Sequence, residues 1–160
     1  MKGIIERIYS DVKIQRLEHW EERSTTDIIL DISKEAGIKV HFFDYSTELS
    51  NLGGDWRIFL NQKQSKQKIW QDFGQQLGVY ISYQLSIEGN GTEEMKDFLY
   101  HFCVTSFILT ELMNKSSFKR EEKENQRLIN EIARVFQVEY QFAKKHVWAF
   151  ICNHFNGAAF

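Results

Sequence analysis

Apolar residues recur along this chain with a helical spacing over most of its length and with an alternating one in a short central stretch. Ile4, Ile5, Ile8, Tyr9, Val12, Ile14 and Leu17 mostly follow the helical period. A second helix is expected from about Thr26 to Ala36, with Ile28, Ile29, Ile32 and Ala36 on its apolar face. Asp27 or Thr25 is its expected cap, and Gly37 closes it. The period then shortens. Ile38 to Phe43 and Trp56 to Leu60 alternate as strands, separated by a polar stretch with Asn51, Gly53 and Gly54, so a hairpin-like pair is expected. Asn61 to Ser65 breaks the second strand.

A long helix follows from about Lys66 to Tyr83, marked by Ile69, Trp70, Phe73, Leu77 and Tyr80. Gly89, Asn90 and Gly91 place a loop over Ser86 to Thr92. Glu93 to Met113 reads as a Phe-rich helix, and Asn114 to Ser117 as a break. Charged residues Lys119 to Arg127 open a helix that buries Leu128, Ile129, Ile132, Ala133 and Phe136. Val138 to Phe155 supplies the last helix, before a tail over residues 157–160. Helices, a small sheet and again helices make an α+β fold, mostly helical. With no repeat and no linker composition, residues 1–160 read as one domain.

Composition narrows the function classes. Twenty basic and 22 acidic residues give a net charge of −2, which speaks against a nucleic-acid footprint spread over the domain. No 18-residue apolar run exists, and Met1 to Gln15 lacks the apolar stretch of a signal peptide, so a cytoplasmic protein without a membrane span is expected. Cys103 and Cys152 are then expected to be reduced. Thirteen Phe, six Tyr and four Trp promise an aromatic core with rings to spare for an interface.

The most informative stretch is Ile69-Trp70-Gln71-Asp72-Phe73-Gly74-Gln75-Gln76-Leu77-Gly78-Val79-Tyr80, which follows a strand ending Ile58-Phe59-Leu60-Asn61. It resembles the active-site region of the ImmA/IrrE (DUF955) metallo-endopeptidases. There, a strand ending in Leu-Asn leads through a polar turn to a helix carrying Asp-Phe-Gly/Ala-His-Glu-Leu-x-His. In that frame Gln75 stands at the first His, Gln76 at the Glu and Val79 at the second His. A second stretch, Phe98-Leu99-Tyr100-His101-Phe102-Cys103-Val104-Thr105-Ser106-Phe107-Ile108-Leu109, is similar to a family segment of prophage and mobile-element members, with Thr105 in place of a Pro. The closing helices fit through Ile132 to Val138 and Phe142 to Lys145. The resemblance covers about Ile38 to Lys145 and implies a zincin-like fold.

The substitutions remove the chemistry. In a His-Glu-x-x-His helix two neutral imidazoles one turn apart bind zinc, and the Glu takes a proton from the metal-bound water. A carboxamide at Gln75 is a poor ligand, Gln76 has no titrating base, and Val79 has no donor atom. The family's acidic third ligand falls near Thr92, beside Glu93 and Glu94, and one carboxylate alone does not hold zinc. No catalytic residue, metal or cofactor is therefore expected. The resemblance instead implies a vestigial cleft lined by Trp56, Trp70, Asp72, Gln75, Gln76, Tyr80 and His101.

Other candidates have plainer readings. His101 with Cys103, and Cys152 with His154, contain zinc-type donors, but residues two apart on a helix point about 200° apart. His41 and His146 have no partner suggested by spacing, and both read as ordinary core or surface histidines. Lys115, Lys119, Arg120 and Lys123 interleave with Glu121, Glu122 and Glu124, the pattern of a solvated helix face. The expected function is a catalytically inactive, metallopeptidase-like protein of phage or mobile-element type. It binds a helix-turn-helix repressor, a host regulator or a defence protein and acts by occupancy. The alternatives are a hydrolase with a relocated site at His101, Cys103 or Glu93-Glu94, and an accessory component of a transcription complex.

Overall fold

The computed structural model describes residues 24–84, 98–104, 109, 110, 112 and 122–155. The helix expected over residues 4–20, the loop at 86–92, the break at 114–117 and the tail at 157–160 lie outside them. So do Glu93, Glu94 and about half of the helix expected from Glu93 to Met113, of which residues 98–103, 109, 110 and 112 are helical. The fold is mixed α+β, with a three-stranded sheet and mostly helix elsewhere. The chain divides into two compact units, Met1–Leu99 and Tyr100–Phe160.

Among the described residues of the first unit the first element is α1, Thr25–Ala36. Its cap is Ser24, not Asp27 or Thr25. The Asp27 amide donates to Ser24 Oγ at 3.1 Å, and the Ser24 hydroxyl donates to the Asp27 carboxylate at 2.7 Å. Thr25 is already helical and buried, and Asp27 sits where a carboxylate reaches back to the cap. At the other end Gly37 takes φ +68°, its amide donating to the Lys34 carbonyl and that of Ile38 to the Ser33 carbonyl. That left-handed turn costs an L side chain and suits glycine.

Three strands follow: β1, Lys39–Phe43; β2, Glu48–Leu52; and β3, Asp55–Asn61. The sheet order is β1-β3-β2. The two strands expected as a hairpin are instead parallel neighbours, with Val40 opposite Ile58 and Phe42 opposite Leu60. The hairpin is β2-β3, antiparallel and turned by Gly53 and Gly54, both at positive φ. Leu49-Ser50-Asn51 carries one large apolar residue, so β2 lacks the alternation that marks a half-buried strand. Its pairing to β3 makes it a strand all the same.

One face of the sheet, with Ile58 and Leu60 both fully buried, packs under α1 and α2, the latter Lys66–Gln84. Ile28, Ile29, Ile32, Trp70, Phe73 and Leu77 complete that core at no more than 1% exposure. Each such side chain contributes about 1.5–3 kcal/mol on burial. The other face carries His41 stacked on Phe59 at 5.3 Å and the ion pairs of Asp55 with Arg57 and Lys39.

In the second unit α3, Glu122–Phe136, buries Leu128, Ile129, Ile132 and Phe136. Gln137 turns the chain at φ 52°, and the amide of the buried Val138 donates to the Ala133 carbonyl at 3.0 Å. Then α4, Tyr140–Phe155, buries Ala143, His146, Val147 and Phe150. The three-residue connection matches the short link of an αα-hairpin. Among the described residues no helix is long and apolar enough to cross a membrane.

Candidate functional site

The connection from β3 to α2 is built by two side chains. Asn61 Oδ1 accepts the Lys63 amide at 2.9 Å, and the Asn61 amide donates to Thr47 Oγ1 at 3.2 Å. An Asn at this place folds its side chain onto the backbone two residues on, which turns the chain off the sheet. Ser65 then starts the helix, its Oγ accepting the Lys68 amide at 3.1 Å and its carbonyl the Ile69 amide at 2.9 Å. These contacts set where α2 begins, and its packing on β3 and α1 sets which residues meet solvent.

Along α2, Trp70, Gln71, Asp72, Phe73, Gly74, Leu77, Gly78, Tyr80 and Ile81 are buried. Lys68, Gln76 and Val79 are half-buried, and Gln75 and Tyr83 are exposed. The spacing of 68, 72, 75, 76, 79 and 83 makes one stripe along about 22 Å of helix. Gln75, Gln76 and Val79 occupy the middle of that stripe.

Each end of the stripe is held. At one end the Asp72 carboxylate, with only 7% of the residue exposed, takes Lys68 Nζ at 2.5 Å, one turn away. At the other end the half-buried Trp56 of β3 packs its ring on Tyr83 at 5.2 Å and on Tyr80 at 5.7 Å, edge-on to the latter. Tyr83 is itself 65% exposed. The result is a face with an aromatic end, a carboxamide and valine middle, and an ion pair at the far end.

Two of the expected cleft residues serve the core instead. Trp70 is fully buried and packs on Phe73, so it offers no surface to a ligand. Tyr80 is 9% exposed, and its hydroxyl donates to the Ala36 carbonyl at 3.2 Å, tying α2 to the end of α1. Trp56, Asp72, Gln75 and Gln76 do lie together on or beside the stripe. His101 belongs to the second unit, where it is exposed. Lys68 and Tyr83 complete the surface without having been singled out. Their sequence signal is present: Lys68 stands four before Asp72, and Tyr83 four after Val79.

This face holds hydrogen-bond donors and acceptors and aromatic edges, but no nucleophile or base at its centre. Among the described residues no group of three His, Cys, Asp or Glu lies close enough to hold a metal ion. Cys103 is fully buried and Cys152 exposed, and neither is in a disulfide.

No family model matches the chain, and no solved structure matches it. A match is found to the phage-like element PBSX protein XkdA of Bacillus subtilis (strain 168), 32% identical over 126 residues. The match covers 74% of this chain and 60% of that protein, so the chain spans less than two thirds of the relative's length. The likeness is to a phage-element protein.

Proposed function

We propose that this chain is a zinc-peptidase-like protein that has lost its catalytic motif and works by binding another protein without cutting it. One observation carries the reading. Gln75, Gln76 and Val79, the positions that the resemblance to ImmA/IrrE-type helices sets at the two His and the Glu, lie on one stripe of α2 with Gln75 exposed and Gln76 and Val79 half-buried, shortly after a strand ending in Leu60-Asn61. A face built to present a metal and its water to a substrate needs this orientation. Here the same positions present two amides and a methyl pair. Such groups dock a polypeptide through hydrogen bonds and apolar contact and do not activate water. Trp56 and Tyr83 add the aromatic anchors common at protein interfaces.

The likeness to a phage-element protein supports a target in the control of such an element or in the host's response to it. That class includes a helix-turn-helix repressor, a host regulator and a defence protein. The chain would act by occupancy, as an antirepressor, inhibitor or adaptor.

The surface is tested by charge. Gln75→Glu with Gln76→Lys places two solvated charges on the stripe and leaves the core untouched. The expected outcome is at least a tenfold loss of partner affinity, about 1.4 kcal/mol, with an unchanged melting temperature. Equal affinity in wild type and variant would remove this face from the proposal.

A further inference from the structure

In the second unit a histidine occupies a place where a hydrocarbon would serve the fold better. His146 is 5% exposed on α4, and neither Nδ1 nor Nε2 has a hydrogen-bond partner. The neutral ring thus buries one N–H donor and one lone pair unsatisfied, which opposes folding. Its neighbours are aromatic. The Tyr100 ring stacks on His146 at 5.3 Å, with 23° between the planes, and on Phe142 one turn earlier, also at 5.3 Å. Tyr100 therefore seats residues 100–104 on α4 through this pair.

The electrical surroundings offer a proton little. His101, next to Tyr100, repels a second positive charge. α3 packs on α4 with Leu128, Ile129, Ile132 and Phe136 buried, and leaves Arg127, Glu131 and Arg134 exposed or on its polar side. On α4 itself Lys144, Lys145 and Cys152 are exposed. Among the described residues no carboxylate partners the ring. The Tyr100 face favours a cation, as does the nearby Val104 carbonyl, and both are outweighed by burial.

We propose that His146 is an acid-operated release: protonating its ring loosens the seating of residues 100–104 on α4. The imidazolium would carry two buried N–H donors without acceptors, and opening hydrates both. Burial first, then His101, pushes the His146 pKa down to about 4, and the nearby Val104 carbonyl pulls the other way without reaching hydrogen-bond geometry. The open state binds the proton near the ordinary 6.5. Packing is therefore at full strength above that value and weakens as pH falls from 6.5 towards 4. Between pH 7 and pH 5 the opening equilibrium rises about 20-fold.

Amide-exchange protection factors of the whole chain at pH 7 and pH 5 test this. Amides of α4 and residues 100–104 should lose about 20-fold in protection, while those of α1 and α2 keep theirs. His146→Phe, which keeps the ring stack and has no titrating group, should abolish the loss and raise the urea midpoint at pH 7. Unchanged protection in the wild type overturns the proposal, as does the same loss in His146→Phe or an equal loss in α1 and α2. If the variant does not fold, the ring-proton NMR titration of His146 in the wild type decides. A midpoint near 4 upholds the release, and one near 6.5 overturns it.

Discussion

The pair of Lys68 and Asp72 fixes how closed the candidate face is, and removing the ammonium measures it. Lys68→Met keeps most of the aliphatic stem and deletes the charge. It leaves the Asp72 carboxylate, whose side chain is 9% exposed, without the cation that sits 2.5 Å away. The size of the loss follows from burial. Exposed pairs one helical turn apart contribute about 0.3–0.5 kcal/mol, whereas breaking a fully buried pair costs about 3–5 kcal/mol. Here one partner is buried and the other is 41% exposed, so water reaches the ammonium but scarcely the carboxylate. A cost of about 1–2 kcal/mol is expected, close to that of one unsatisfied buried group. Urea unfolding of wild type, Lys68→Met, Asp72→Asn and the double variant gives the coupling directly, provided the m-value is constant. The coupling should persist in 1 M salt, because a buried carboxylate is screened less than an exposed one. A coupling below about 0.5 kcal/mol would mean that Asp72 is solvated and that the face is more open than described.

Other perturbations probe separate parts of the account. Gly78→Ala puts a Cβ 2.8 Å from Cδ1 of Phe98, a ring 2% exposed, so overpacking of about 1–3 kcal/mol outweighs about 1 kcal/mol of helix propensity. A lowered urea midpoint, restored by Phe98→Leu, is the expected result. Gly37→Ala meets no neighbour but is held at φ +68°, and should cost about 1 kcal/mol by backbone strain alone. Tyr83→Ala should lower stability by less than about 1 kcal/mol, since the ring is largely in solvent. The same change should weaken partner binding, as read by titration calorimetry, if the aromatic end of the stripe is an anchor.

Much of the fold is legible in the sequence because helical burial writes a strong period. Ile28, Ile29 and Ile32 on α1, Trp70, Phe73 and Leu77 on α2, and Leu128, Ile129, Ile132 and Phe136 on α3 are all buried as spaced. The sheet is less legible. Alternation marks β1 and β3, but strand direction leaves no trace in a five-residue pattern, and β2 is a polar edge with little to alternate. Ser24 is hidden among four consecutive residues that can all cap a helix. The flanks Leu60-Asn61 and Asp72-Phe73-Gly74 single out the candidate face in the sequence, and in its middle Gln75 is exposed while Gln76 and Val79 are half-buried. Trp70 and Tyr80 turn to the core and not to that face, and the sequence hides this for a physical reason. An aromatic beside a motif carries no mark of which side of the helix it takes until neighbouring strands fix the rotation.

The central claim is binding without cleavage, and the fate of the partner tests it most directly. The tagged chain is used to capture proteins from a lysate of its native host, with and without chelator, and the intact mass of whatever is retained is measured. The account predicts one near-stoichiometric partner of full length, retained equally in chelator and lost with Gln75→Glu/Gln76→Lys. A partner recovered only as fragments unless chelator is present would contradict it and point to a working metal site.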